Sequence, residues 1–600
     1  MLTISQRRSR SPRAQPTEQW GLLLRWVGSP QMTTVTRPPG RANEVNVSAE
    51  ELNNLAEEYY MWSLRTHPLM ATLRGIHDYD TEFDEFSREA EDSQISYLRS
   101  VAGKATAIDN DGLSPSDRIT KDVLIYETGT EADAAETRMA ELAVDPGAGF
   151  QALLAVIVSQ LPITTSQHAD DFITRFTKLP RAISQLNDRL AEGVANGRTP
   201  MKSAADKVVA QLDEMLTAPV EQSPFMTAQR PADLDEEKWG SRLADLVRDQ
   251  VRPALASYRD TIADRVQPAG RSDEEPGLSW LPDGEATYTT LIKRHTSLPL
   301  SAEEIHDIGL QQVERLNDEY RELGADVFGT SDLAEIYARL RDDPELHFES
   351  GPEVVEYSEN AMAKAKAVMG DWFGRLPQAD CVVTETPIGP LAFYIPPAPD
   401  GSRPGTFFVN TAQPSNWGRF EIEAMAYHEG IPGHHLHLAI SQELEDIPEF
   451  QKHTLITVCA EGWGLYAERL ADEMGLYTSQ LERIGMLSND SMRSVRLVVD
   501  TGIHAFGWSR QKAIDYFVAN SPMSPGAIEM EVDRYIANPG QALAYMLGRL
   551  EIMRMRSEAK AALGDGFDIK GFHDTVLGGG LVPMPTLDRM VKEWVTTVSD

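Results

Sequence analysis

Ala426-Tyr-His-Glu-Gly-Ile-Pro-Gly-His-His-Leu-His437 places four of the chain's thirteen histidines, His428, His434, His435 and His437, within ten residues. An apolar helical run ending in His-Glu has the form of a zinc signature in which two histidines at i and i+4 share a helix face and the glutamate acts as general base. The spacing here is different, because Gly-Ile-Pro-Gly separates Glu429 from His434. On a regular helix the i+6 position points about 120° away from His428, and i+7 is in line but about 10 Å along the axis. Neither can share one zinc with His428 through bonds of about 2.0–2.1 Å. A metal site therefore requires an irregular helix. Pro432 lacks the N–H that would bond the His428 carbonyl, and the two glycines permit unusual backbone angles. A bulge or kink between Glu429 and His434 would absorb the extra residues. The competing reading makes Gly-Ile-Pro-Gly a turn at a helix C-terminus, with the histidines solvated or capping. Spacing alone leaves His434 and His435 both open as the second ligand.

A third ligand should come from a following helix. Residues 455–474 read as one, with Glu461 in an otherwise apolar stretch between Ala460 and Trp463. A carboxylate buried there must be paired or metal-bound. Glu468, two turns on, is the alternative, although its neighbour Arg469 gives it the look of a surface residue. Cys459 reads as a small buried hydrophobe. Arg496, Asp500 and His504 at i, i+4 and i+8 share a helix face. Asp500 is expected to orient His504, which would donate to a reaction intermediate or a substrate carboxylate; the plain alternative is a salt-bridge ladder. Tyr535 and Tyr545 are phenolic donor candidates, against a role as packed aromatics with satisfied hydroxyls. Tyr288 and His295 are further cleft-lining candidates.

Around this centre lies a chain of 600 residues, 41% hydrophobic and 25% charged, ordinary for a globular protein with a large core. At about 150 residues per domain the length allows roughly four units or fewer large ones, and one large two-lobed helical fold around a single cleft is expected. The net charge is −36, which argues against coating nucleic acid or anionic membrane. With only Cys381 and Cys459, a disulfide scaffold, an all-cysteine zinc site and an iron–sulfur cluster are excluded within one chain. Zinc, if bound, must be held by histidine and carboxylate. No stretch reaches the 18 or so apolar residues of a membrane span. Residues 1–45 carry seven arginines and two glutamates, +5, against −41 for the remainder. They read as a disordered tail or as sequence ahead of a true start at Met32. No small-x-small cleavage site follows Trp20–Val27, so a secretory signal is not expected and the location is taken as cytoplasmic.

The period of the pattern is helical over most of the chain. Ser48-Ala-Glu-Glu51 and Ser301-Ala-Glu-Glu304 read as capping boxes, the first helix closing at His67-Pro68 and the second at Gly324. Pro352 opens another helix that ends near Gly370. Between them, residues 267–286 are rich in Pro, Gly and charge, a boundary or surface crossing. Cys381-Val-Val-Thr384, Leu391–Ile395 and Thr406–Asn410 read as strands of a small sheet, either a structural flap or an edge that pairs with an extended peptide. The class is therefore mainly α (α+β), with a small β-sheet preceding the histidine-bearing helix. The division expected is a tail at 1–45, an N-terminal helical region at 46–266 and a catalytic region at 267–600.

Several ordered motifs carry a resemblance. They are Tyr427–His435, Ala460-Glu-Gly-Trp-Gly-Leu-Tyr-Ala-Glu468, Arg496–His504, Pro539-Gly-Gln-Ala-Leu-Ala-Tyr545, and Gly571–Leu577 with Val582-Pro-Met-Pro585. Near the other end, Pro68–Thr72 with Gly75 and Asp80 also fits. Together they resemble the bacterial domain-of-unknown-function family numbered 885, of the zincin-like metallopeptidase type, from about residue 48 onward. The resemblance implies zinc held by His428, His434 and Glu461, with Glu429 polarising water, and it favours His434 over His435. It supplies no substrate.

The expectation is a zinc hydrolase cleaving short peptides, carboxypeptidase-like trimming included, with Glu429, His504 and Tyr545 as catalytic candidates. The partner is then a peptide or small amide, with no nucleic acid and no membrane. Two alternatives remain: a zinc hydrolase of a small non-peptide amide or ester, and a non-catalytic peptide-binding protein that keeps the fold.

Overall fold

The computed structural model describes residues 47–387, 390–398, 401 and 403–599. The arginine-rich segment 1–45 lies outside them. The described chain is mainly α with one three-stranded sheet. Nine helices concern the histidine cluster: α1 (Gly284–Thr296), α2 (Ala302–Phe328), α3 (Gly351–Trp372), α4 (Ile422–Glu429), α5 (His434–Gln442), α6 (Thr457–Glu473), α7 (Gln480–His504), α8 (Pro525–Ala537) and α9 (Ala544–Leu563). Ser301 caps α2 through the reciprocal bonds of a capping box with Glu304. That helix runs past Gly324, where a Cβ would collide with the Ile336 side chain, so this glycine is there for packing. The stop is Gly329, in the left-handed region at φ 71°.

The strands are β1 (Cys381–Thr386), β2 (Ala392–Ile395) and β3 (Gly405–Asn410), in the order β1-β3-β2. β1 runs parallel to β3 with Cys381 opposite Gly405, and β2 runs antiparallel with Ala392 opposite Val409. The sheet lies directly before α4 in the chain, so it leads into the helix that carries His428 and Glu429.

The largest core joins helices Val47–Thr66, Arg88–Ala107 and Pro115–Glu136 to α3, α4, α6, β3 and the last two helices of the chain. A second core is built only from residues between Leu69 and Val266. The Pro- and Gly-rich stretch after it is pinned by Arg271, whose guanidinium donates to the carbonyls of Thr199 (2.7 Å), Pro276 (2.6 Å) and Gly277 (2.6 Å). The motif around Thr72 has a similar role: Asp80 accepts from the Thr72 hydroxyl (2.5 Å) and pairs with His77 (2.6 Å), and Arg175 donates to Thr72 (2.7 Å).

Two packings fix the centre. α2 lies along α7, with Gly309 against Leu497 and Val498. α9 lies along α6, where Gly462 and Gly548 meet so closely that a Cβ on Gly548 would sit 2.7 Å from the Gly462 Cα. Every residue of α7 from Ile484 to His504 is buried. No helix among the described residues is long and apolar enough to cross a membrane.

The α6–α9 crossing yields a first prediction. Gly548→Ala forces the two helices apart at the turn that carries Glu461, at a cost of about 3 kcal/mol. Urea titration should show the loss as a lower midpoint; an unchanged midpoint would mean that the crossing is looser than the geometry requires.

Candidate metal centre

The helix that the sequence bends is in fact broken in two. α4 ends at Glu429 and α5 starts at His434, with Gly430 and Gly433 at ψ −119° and −124° and a cis Ile431–Pro432 bond between them. A Cβ on Gly433 would collide with the His428 carbonyl. The indole N–H of Trp463, on α6, donates to the Pro432 carbonyl at 2.9 Å and holds the break against its neighbour. The two helix ends thus present His428 and His434 to each other, ring centroids 4.7 Å apart and edge to face.

Glu461 completes the group. Its Oε2 lies 3.6 Å from His428 Nε2 and 3.4 Å from His434 Nε2, and all three donor atoms fall within 4.8 Å of one another. Donors at about 2.0–2.1 Å in a tetrahedral zinc site are about 3.4 Å apart, so both spacings from Glu461 are in the range of such a site. All three residues are buried. Gly464 makes room for the His428 ring, from which a Cβ would be only 2.7–2.8 Å away.

Two carboxylates share the His428 imidazole. Glu468, fully buried on α6, accepts from His428 Nδ1–H at 2.7 Å, which leaves Nε2 facing the Glu461 carboxylate. Burial alone would lower the His428 pKa, but Glu461 and then Glu468 push it up to about 10. Burial would likewise raise Glu461, yet hydrogen bonds from His428 and His434 hold it well below the usual carboxylate range. An imidazole set between two carboxylates needs either a second proton or a metal ion at Nε2.

The other sequence candidates separate clearly. His435 accepts from the Tyr394 hydroxyl at Nδ1 (2.8 Å) and donates from Nε2 to the Ala379 carbonyl (3.0 Å). Both nitrogens are committed to the sheet region, which leaves His434 as the second donor. His437 is buried beside Trp463. Glu429 is buried at the end of α4, facing β1 closely enough that its charge adds to the burial that pushes the Cys381 thiol up to about 12.

Asp500 does not orient His504. It accepts from the Tyr288 hydroxyl (2.5 Å) and the Gly540 N–H (3.1 Å) instead. His504 accepts from the Leu278 N–H (3.2 Å) and donates to the Tyr535 carbonyl (3.0 Å), so neither ring nitrogen is left for a substrate. The Tyr535 hydroxyl donates to Glu531 (2.5 Å) and accepts from Arg496 (2.9 Å). Among the described residues, Arg496, Asp500 and His504 thus make no salt-bridge ladder with one another either; each is bonded to residues of other segments. Tyr545 lies with its ring against the Arg496 guanidinium, 4.5 Å from its centroid. His295 is buried near the end of α1.

Glu468 is the residue that sequence reasoning set aside. The signal was present: Glu461 and Glu468 are seven apart, hence on one face of α6. A second trio, His77, Asp80 and His168, is close enough to hold an ion, but its histidine rings stack face to face at 3.9 Å and Asp80 already bonds His77.

The buried histidines set an acid limit. Burial pushes His453, His504 and His573 down to about 3 and His435 and His437 to about 4, whereas an unfolded histidine takes up its proton near 6.5. Their contribution is fully present above pH 6.5 and is lost as pH falls. Asp500, raised by burial to about 7, works in the opposite direction. The net uptake on unfolding is several protons, each worth about 1.4 kcal/mol per pH unit. Denaturation free energies should therefore drop steeply from pH 6.5 to 5, and more steeply in Asp500→Asn; a flat profile would contradict the burial described.

Comparison with known proteins agrees with this architecture. The structure is similar to that of a protein described as a "putative lipoprotein" from Colwellia psychrerythraea, with TM-score 0.86 and 26% identity over 92% of this chain and 100% of that one. It shares its fold with a "putative lipoprotein of unknown function" from Shewanella oneidensis, with TM-score 0.70 and 15% identity over 90% of this chain and 99% of that one. No curated protein matches the chain. The family described as bacterial proteins of unknown function, DUF885, matches residues 68–591, and the chain belongs to that family.

Proposed function

We propose that the protein is a zinc-dependent hydrolase of the zincin-like type, a metallopeptidase that acts on short peptides. The observation that carries this reading is the convergence of His428 Nε2 and His434 Nε2 on Glu461 Oε2, with Glu468 fixing the His428 tautomer from behind. A carboxylate that holds a ligating imidazole through its far nitrogen is the usual outer support of a metal site. Three protein donors leave a fourth position open, as hydrolytic zinc sites do and closed structural ones do not.

Zinc in this position supplies a Lewis acid that brings the pKa of water near 7. The chain's own groups do the rest. Glu429, next to His428 at the end of α4, accepts the proton of the attacking water and returns it to the leaving amine. Burial of the donors keeps bulk water from competing and strengthens each charge interaction. Tyr545, on the helix that crosses α6 beside Glu461, is the phenol assigned to support the oxyanion.

A binding protein without turnover has no chemical need for Glu429 beside the two histidines, which favours the hydrolase over that alternative. Metal analysis of the purified chain should give about one zinc per molecule. Glu429→Gln should keep the zinc and lose about 10²- to 10⁴-fold in peptide turnover, scored by mass spectrometry of a digested peptide library. Absence of zinc, or full activity in this variant, would overturn the proposal. Glu468→Gln should weaken metal affinity by about 10- to 100-fold, measured by competition with a chelator; unchanged affinity would leave Glu468 without a role at the metal.

A further inference from the structure

Arg493 is a buried guanidinium that, among the described residues, makes no hydrogen bond or ion pair with a carboxylate. It is 1% exposed. Its Nε has no partner, and among the described residues its one hydrogen bond is a long contact from Nη1 to the Met492 sulfur at 3.9 Å. The carboxylates nearby are already engaged. Asp490, one turn back on α7, is shared by Arg469 and Arg549. Glu531 is shared by Arg496 (2.9 Å) and Arg534 (3.0 Å). Glu421 feels the Arg493 charge, but burial shifts its pKa upward, toward the neutral form, and it accepts from Ser488 (2.8 Å) and the Gly418 N–H (3.3 Å). A charge taken out of water without a partner costs several kcal/mol, so a cation kept in this state has a use when a ligand arrives.

Its place in the fold says which ligand. α7 packs on α4, the helix of His428 and Glu429. The Tyr545 ring takes Arg493 at 5.9 Å and Arg496 at 4.5 Å. Three residues beyond Tyr545, Gly548 touches Gly462, the neighbour of Glu461. We propose that Arg493 anchors a carboxylate of the substrate, the free C-terminus of a short peptide, and so selects peptides by that end. The planar fork of five donors matches a carboxylate bidentately. That the carboxylate is a peptide terminus rests on the hydrolase reading above; that Arg493 binds a carboxylate does not.

The test is calorimetric, on the full chain in both zinc-free and zinc-replete form, with N-acetyl-dialanine and its C-terminal amide as probes. The acid should bind about 10- to 100-fold more tightly than the amide. Arg493→Met should erase that difference while leaving the melting temperature equal or higher, since it removes an uncompensated charge; Arg493→Lys should retain part of the preference. Equal binding of the two probes, binding of neither, or a melting temperature lowered by Arg493→Met would each overturn the assignment. Cleavage of peptides without preference for a free C-terminus sinks this inference and leaves the hydrolase standing. Arg493-dependent binding of the acid without cleavage of any peptide does the reverse.

Discussion

A carboxylate enclosed by protein must be neutralised, and the position of Glu461 between two imidazoles is the condition on which the centre of this molecule depends. Burial by itself would protonate Glu461; the flanking rings hold it ionised. Glu468 then presses on His428 from the other side. Two negative groups on one ring leave the pair short of positive charge, and the unmet charge is located at Nε2, where the second histidine also points. The Glu461 oxygen lies 3.4 and 3.6 Å from the two imidazole nitrogens, a spacing in the range of donors that share one small ion.

The backbone that delivers these groups is arranged around α6. Within eight residues this helix supplies Glu461 to the histidines, Gly462 to the crossing with α9, the Trp463 indole to the Pro432 carbonyl, Gly464 as space for the His428 ring, and Glu468 behind that ring. Three of these roles meet at His428, and the other two face α9 and Pro432. A shift of α6 by one residue would lose all of them together, so the helix has one register that satisfies its surroundings. The break between α4 and α5 is held by the same helix, through Trp463.

Much of this was legible in the sequence because it depends on local rules. The three strands, the capping box at Ser301, the need for an irregular backbone between Glu429 and His434, and Glu461 as a buried carboxylate all follow from period, turn chemistry and desolvation. The errors arose where long-range partners decide. Arg469 made Glu468 look like a surface residue, but neighbours on a helix point about 100° apart, and Arg469 serves the buried Asp490 instead. Asp500 and His504 share a face of α7, yet Tyr288 and Gly540 reach Asp500 from segments far away in the chain. Gly324 looked like a helix end, and contact with Ile336 explains it instead. No period in the sequence reports such partners.

The contrast between α6 and α7 explains how a centre with this much buried charge remains in one arrangement. α7 carries Asp490, Arg496 and Asp500, each tied to a different element: Asp490 to α6 and α9 through Arg469 and Arg549, Arg496 to α8 through Glu531, and Asp500 to α1 and the turn at Gly540. The ion pairs of Asp490 and Arg496 add little net stability, because desolvation offsets most of their attraction. They are nevertheless costly to mispair, so they fix which helix lies against which. Arg493 breaks the pattern on the same helix: it is buried as deeply and bonded to no carboxylate. Among the described charges of this helix that are buried, Arg493 is therefore the one proposed to serve a ligand rather than an internal contact.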